Sequence, residues 1–267
     1  MPRANRHYIP GHAWHITHRC HKKEFLLKFA KDRQSWIDWL FEARKRYGMF
    51  VLNYMATSNH IHLLIYDRDG GGVIPKSVQL AAGRTAQEYN QRKRRKGAYW
   101  EDRYHATAVQ TDRHLIQCIV YMDLNMVRAG VVKHPSEWPH SGYSEIQRAP
   151  DRYRLVVRKA LMELLGISDS DQLSLSHQSW VEEALRDKDM IRERRWSDSI
   201  AVGTSLFIEQ VKADLGARGL GRKIISSVDG HELRESRVSY DGHLGGEKRP
   251  LRYENSLAWQ IYDVYSL

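Results

Sequence analysis

The sequence predicts an α+β protein with a ferredoxin-like, or split βαβ, fold, in which an antiparallel sheet has its helices on one face. Three observations support this class. Short apolar or alternating runs predict four strands, and longer segments with apolar residues three or four positions apart predict three helices. Their order is strand, helix, strand, strand, helix, strand, helix. The remainder of the chain has a mostly helical pattern.

The four predicted strands cover residues 12–19, 50–56, 61–66 and 105–110. The segment 57–59, Thr-Ser-Asn, separates the second strand from the third and consists of typical turn residues. These two strands are therefore expected to form a hairpin.

Three helices are predicted between and after these strands, at residues 32–47, 75–92 and 112–128. Gly48 and Gly130 follow the first and the third helix, where glycine commonly ends a helix. The strands and helices together predict the ferredoxin-like order.

Three prolines between residues 135 and 150 indicate a domain boundary. We therefore predict a first domain at residues 1–148 and a C-terminal extension at residues 149–267. Helices are expected in the extension at residues 153–165, 178–187 and 205–215.

The net charge of +10 comes entirely from the first part of the 267-residue chain. Residues 1–150 contain 24 Lys and Arg against 13 Asp and Glu, and the remaining residues contain 18 against 19. Such an excess favours a polyanionic partner, because neutralising phosphates releases counterions. A basic surface that serves only solubility is the alternative.

Composition also limits the class of protein. No stretch of about 18 uncharged apolar residues is present, so no membrane span is expected. Cys20 and Cys118 do not form a disulfide framework, and no apolar leader follows Met1. A cytoplasmic protein is the expectation.

His60 and His62 are the first candidate functional residues. On a strand they share one face, because side chains alternate with a period of two, and two imidazoles on one face suit a shared metal ion. A pair of surface histidines without a metal is the alternative.

The helix predicted at 112–128 provides the second candidate group. A polar stripe runs along it at steps of three and four residues: His114, Gln117, Tyr121, Asn125 and Arg128. A phenol, an amide and a guanidinium on one stripe could supply a nucleophile, a metal ligand and a cation for a phosphate. An ordinary solvated helix face is the alternative.

These residues lie in blocks that resemble the REP-associated tyrosine transposases, relatives of the single-tyrosine HUH (IS200-like) transposases. The blocks are Ser58-Asn-His-Ile-His-Leu-Leu-Ile65, Tyr99-Trp-Glu-Asp-Arg-Tyr-His-Ala106 and Tyr121-Met-Asp-Leu-Asn-Met-Val-Arg-Ala-Gly130. The resemblance covers residues 1–148, and the rest of the chain resembles the C-terminal extension of some members.

The resemblance implies a metal-dependent enzyme that cleaves and rejoins single-stranded DNA beside short palindromic hairpins. His60 and His62 match the paired metal ligands, and Tyr121 matches the nucleophile that forms a 5′-phosphotyrosine. Asn125 matches the third ligand position, where related enzymes use a side chain such as Gln. The implied ion is Mg²⁺ or Mn²⁺, and the enzyme could be a monomer or a homodimer.

A basic segment with aromatic residues predicts the DNA contacts, because cations follow the backbone and aromatic rings stack on bases. The candidates are Arg92, Lys93, Arg94, Arg95, Lys96, Trp100, Arg103, Tyr104 and Arg128. The N-terminal histidines match no common zinc pattern, so His15 and its neighbours are interpreted as strand-face residues near DNA.

Two other functions stay open. One is a non-catalytic, RRM-like nucleic-acid-binding module. The other is a metal-dependent nuclease that uses activated water and forms no covalent intermediate.

Overall fold

The structure is a computed structural model, and it describes residues 9–70, 72–187, 193–227 and 229–235. The described residues up to Glu235 cluster as one compact unit. The opening residues Arg3 to Arg6 and His7 and the end of the extension lie outside the described residues.

Four strands and two helices form the ferredoxin-like part in the predicted order. They are β1 (His12–Arg19), α1 (Ala30–Tyr47), β2 (Phe50–Ala56), β3 (His60–Asp67), α2 (Val73–Arg92) and β4 (His105–Val109). The neighbours β2–β3, β3–β1 and β1–β4 are antiparallel. The predicted α+β fold class is confirmed.

The predicted third helix consists of two pieces, α3 (Arg113–Asp123) and α4 (Asn125–Arg128), with Leu124 between them. The Asp112 side chain accepts a hydrogen bond from the backbone of His114 and caps the start of α3. The short helix α5 (Tyr143–Gln147) follows.

The part of the extension that the structure describes adds four helices and three strands to the fold. They are α6 (Arg158–Leu165), α7 (Ser170–Arg186), α8 (Arg195–Asp198), β5 (Ser199–Gly203), α9 (Ser205–Asp214), β6 (Lys223–Ser227) and β7 (Gly230–Arg234). Helix α7 begins earlier than predicted, because the Asp169 carboxylate accepts from the backbone of residues 171 and 172. The sequence predicted no strand in the extension.

The added strands enlarge the sheet to seven, in the order β2-β3-β1-β4-β5-β7-β6. Strand β5 pairs with β4 in parallel, so the sheet is mixed, whereas the sequence predicted only antiparallel pairing. The sheet therefore continues across residue 148, and the domain boundary stays a prediction.

Helices lie on both faces of the sheet. His18 of β1 stacks on Trp100, whose indole donates to the carbonyl of Ala82 in α2. His15 lies on the opposite face of the same strand and contacts Tyr121 of α3. The sequence predicted all helices on one face of the sheet. Helices α1 and α2 lie on one face, whereas α3 covers the opposite face.

No helix among the described residues is long and apolar enough to cross a membrane.

Candidate active site

Strand β3 places His60 and His62 on the same face, as the alternation of strand side chains predicts. Their ring centroids are 4.9 Å apart. His60 is half-buried at the start of the strand, and His62 is 3% exposed. The pair lies on the face that α3 covers.

The turn before β3 fixes the orientation of His60. Its Nδ1 lies 2.9 Å from the Thr57 hydroxyl and 2.7 Å from Oδ1 of Asn59. The Asn59 amide nitrogen donates to the carbonyl of Lys23, so its oxygen faces His60. The Thr57 hydroxyl proton is directed to the His60 carbonyl. Nδ1 of His60 therefore donates, and Nε2 is the ring nitrogen that carries the lone pair.

His62 is held by a residue that sequence analysis did not assign to the site. Its Nδ1 lies 2.9 Å from Nε2 of His15, and the two rings differ by 1° in plane. The strand register explains the contact: Thr17 of β1 is opposite His62, and His15 lies two residues along on the same face.

The far side of the His15 ring contacts the C-terminal extension. Its Nδ1 lies 2.9 Å from the carbonyl oxygen of Trp196 in α8. Complete burial lowers the pKa of His15 to about 3, so the ring is neutral at physiological pH. His15 was expected near DNA, but the structure places it behind a metal-ligand candidate.

Tyr121 of α3 lies beside the histidines of the same chain. Its ring centroid is 6.0 Å from that of His62 and 6.3 Å from that of His15, and both ring pairs are close to perpendicular. The Trp196 ring packs on it at 6.0 Å. One chain therefore supplies both the candidate nucleophile and the histidine pair.

Asn125 and Arg128 belong to α4, after Leu124. Asn125 contacts His62, and Arg128 contacts Tyr121. The Asn125 amide nitrogen is 3.1 Å from Nε2 of His62. The Arg128 guanidinium lies 4.2 Å above the Tyr121 ring and donates to the Tyr121 carbonyl at 2.6 Å. The structure thus brings together five of the predicted residues: His60, His62, Tyr121, Asn125 and Arg128.

A buried polar network fixes the C-terminal end of α3. The Asp123 carboxylate accepts from the Asn53 amide at 3.0 Å and contacts Nε2 of His177 in α7 at 2.7 Å. The register of β2 shifts between Val51 and Asn53, which turns the Asn53 side chain toward α3. The extension thereby holds the helix that contains Tyr121.

The candidate metal ligands are two imidazole nitrogens and one amide. Among the described residues, no three His, Cys, Asp or Glu side chains form a metal-binding group. A set of two histidines and one amide is neutral, and it suits a divalent ion that must also bind phosphate oxygens. The donor chemistry therefore fits the implied metal.

The predicted DNA-binding cations lie at the end of α2 and in the loop that follows it. Lys93, Arg94 and Lys96 are exposed, whereas Arg92 is paired with Asp32. Arg95 contacts Glu24 at 3.3 Å. Arg103 is exposed farther along the same loop.

The two predicted aromatic DNA contacts have different environments. Trp100 is partly buried, and its ring lies 4.1 Å from that of His18. Tyr104 is 5% exposed and packs in the core. The backbone of Glu101 donates to the carbonyl of Arg19, which lies opposite His60 in the sheet, so this loop borders the histidine strand.

Part of the chain resembles known proteins. Residues 9–123 match the family model described as IS200-like transposase. This segment of the chain is therefore similar to the IS200-like transposases. No curated protein sequence matches the chain at a significant level.

The solved structures that resemble part of the chain include the following two. A REP-associated tyrosine transposase bound to a REP hairpin has 18% sequence identity and a TM-score of 0.44, over 58% of this chain and 90% of that chain. A protein of Deinococcus radiodurans R1, assigned provisionally as a transposase, has 17% identity and a TM-score of 0.30, over 39% of this chain and 83% of that chain.

Proposed function

We propose that the protein cleaves and rejoins single-stranded DNA beside short hairpins and uses Tyr121 as the nucleophile. The observation that supports this most strongly is the position of the Tyr121 ring, 6.0 Å from that of His62 within one chain. The family of residues 9–123 is consistent with strand transfer.

In the proposed reaction, the Tyr121 oxygen attacks the scissile phosphorus and the 3′ oxygen of the preceding nucleotide leaves. The bond from phosphorus to O3′ breaks, and a bond from phosphorus to the Tyr121 oxygen forms. The phenol loses its proton, and the departing oxygen gains one and becomes a free 3′-hydroxyl. Because no water is consumed, attack by a 3′-hydroxyl on the phosphotyrosine reverses the step and rejoins a strand.

His60, His62 and Asn125 would hold the Mg²⁺ or Mn²⁺ ion. When bound, the ion polarises the scissile phosphate and offsets its charge. The amide of Asn125 presents its nitrogen to His62, so it must rotate for its oxygen to serve as a ligand. Asn is shorter than the Gln of related enzymes, which makes Asn125→Gln an informative variant.

The other candidate residues are assigned to DNA binding. Lys93, Arg94, Lys96 and Arg103 are exposed and would contact the phosphate backbone. Arg92, Arg95, Trp100 and Tyr104 are engaged within the protein, so any contact they make with DNA requires their present partners to move. Arg128 would stabilise negative charge near the Tyr121 ring.

A denaturing gel tests the proposal. The full chain is incubated with labelled hairpin oligonucleotides that have single-stranded flanks, with and without Mg²⁺ or Mn²⁺. We expect a metal-dependent, denaturant-resistant protein–DNA adduct that Tyr121→Phe abolishes. Tyr89→Phe is the matched control. Tyr89 of α2 lies beside Tyr99, and α2 packs on the opposite face of the sheet from α3 and Tyr121.

Other outcomes separate the alternatives. Binding without cleavage would indicate an RRM-like binding module. Cleavage without an adduct, with Tyr121→Phe as active as the unaltered protein, would indicate a nuclease that uses water. Either result would refute the assignment of Tyr121.

A further inference from the structure

We propose that the C-terminal extension completes the metal site: the carbonyl of Trp196, acting through His15, holds His62 in the tautomer that presents Nε2 to the metal. His15 is then a positioning residue. This inference rests on the proposed function, because it takes His62 as a metal ligand.

The contact between Trp196 and His15 determines which ring nitrogen of His15 is protonated. A carbonyl oxygen only accepts hydrogen bonds, and it lies 2.9 Å from Nδ1 of His15. Nδ1 of His15 therefore has the proton. His15 is completely buried, and a neutral imidazole has a single N–H, so its Nε2 is an acceptor.

The hydrogen bond from His62 to His15 in turn determines the tautomer of His62. Nε2 of His15 is 2.9 Å from Nδ1 of His62, and because the former accepts, the latter must donate. The lone pair of His62 is then on Nε2. Asn125 agrees independently, because its amide nitrogen, a donor, lies 3.1 Å from this same atom.

Contacts between β5 and the rest of the sheet hold Trp196 in place. Strand β5 begins three residues later and pairs with β4 in parallel. The Ser199 carbonyl contacts the Thr107 hydroxyl at 2.6 Å and Nε2 of His105 at 2.8 Å. The Trp196 ring is completely buried and packs against Tyr121. The extension thereby positions both His62 and the candidate nucleophile.

Two substitutions at His15 isolate the hydrogen bond to His62. In His15→Gln the amide oxygen can accept from Nδ1 of His62, whereas His15→Leu offers no acceptor. Both variants lose the imidazole N–H that faces Trp196. They differ in the polar amide of Gln, whose oxygen supplies the acceptor under test and whose NH2 group is a donor. Thermal denaturation of both variants measures their stability separately.

The readouts are Mn²⁺ affinity, measured by calorimetry without DNA, and the ¹⁵N chemical shifts of the His62 ring in the metal-free protein. We expect His62 of the unaltered protein to be protonated on Nδ1. We expect His15→Leu to bind Mn²⁺ roughly 10- to 100-fold more weakly, the usual effect of losing such support, and His15→Gln to recover most of the affinity.

Equal Mn²⁺ affinity of the Leu variant and the unaltered protein would overturn the inference. So would His62 protonated on Nε2 in the unaltered protein, a measurement that needs no variant to fold. Failure of the proposed function has a different signature: the tautomer and the Mn²⁺ affinities follow the expectation, but no DNA adduct forms.

Discussion

His60 and His62 share one face of β3, but their surroundings differ. His60 is half-buried and is oriented by Thr57 and Asn59, which lie within three residues of it in sequence. His62 is buried and is oriented by His15, which in turn contacts Trp196 of the C-terminal extension. One candidate ligand therefore depends on a local turn, and the other depends on residues that only the complete fold brings together.

Removing either histidine should cause the largest loss of activity. We expect His60→Ala and His62→Ala each to reduce DNA cleavage by more than roughly 100-fold. Losing a hydrogen bond that supports a metal ligand costs up to roughly 100-fold, and these variants remove the candidate ligand itself. His134→Ala, at a partly buried histidine that contacts Ser136 and Glu182, is the control. Cleavage is measured on the same labelled hairpins.

The two variants should differ in stability. His62→Ala leaves Nε2 of buried His15 without its partner, which costs about 1–3 kcal/mol, whereas water can replace much of the His60 ring. Chemical denaturation measures this difference. Equal stability losses would contradict the contrast between the two surroundings.

Trp196 tests the long-range side of the comparison. Trp196→Ala removes a completely buried ring beside His15 and Tyr121 and should lower the free energy of unfolding by about 3–5 kcal/mol. Trp196→Phe should cost less, because the indole nitrogen has no hydrogen-bond partner among the described residues. Equal costs for both variants would show that the ring volume is unimportant there.

Thr57 tests the local side. Its hydroxyl bonds to the backbone of Asn59 and His60 as well as to the His60 ring. Thr57→Val should therefore destabilise the protein by about 1–3 kcal/mol, and Thr57→Ser should not. The ¹⁵N shifts of His62 should stay unchanged in both variants, and a changed His62 tautomer would refute the independence of the two supports.

A pH dependence of stability is expected at His140, whose carbonyl accepts from the backbone of Ala56 beside the His60 turn. Burial, and then the charge of Arg33, lower the pKa of His140 to about 4. The unfolded state therefore binds more protons between pH 6.5 and 4, and stability falls as the pH decreases through this range.

The slope from His140 should stay below about 1.4 kcal/mol per pH unit, the limit for one proton. Denaturation curves at pH 7, 6, 5 and 4 measure it, and His140→Gln should remove that contribution. An unchanged slope in the variant would assign the pH dependence to other groups.

The local elements of the fold were predictable from the sequence. The alternation in β1 to β4 and the glycine after α1 predicted the ferredoxin-like part, and Gly48 has the expected left-handed conformation with φ of 70°. Strands β5 to β7 were not predicted. Strand β6 is exposed along its whole length, so no alternation of buried and exposed residues marks it, and β5 joins the sheet by parallel pairing with β4.

The candidate site was predictable where its signals lie within one element. The spacing of His60 and His62, and that of Tyr121 and Asn125, each belong to one segment of chain. The contact of His15 with His62 depends on the pairing register of β1 and β3, and the Trp196 carbonyl has no sequence signature. Tertiary packing alone determines these two partners.

The most direct test of the account is to identify the residue that is linked to DNA. The full chain is incubated with Mg²⁺ and a hairpin oligonucleotide, digested with trypsin and analysed by mass spectrometry. The account predicts a nucleotide attached through a 5′ phosphate to the peptide that contains Tyr121, and no such peptide from Tyr121→Phe. Attachment at another tyrosine such as Tyr89, or strand cleavage without any attached peptide, would contradict it.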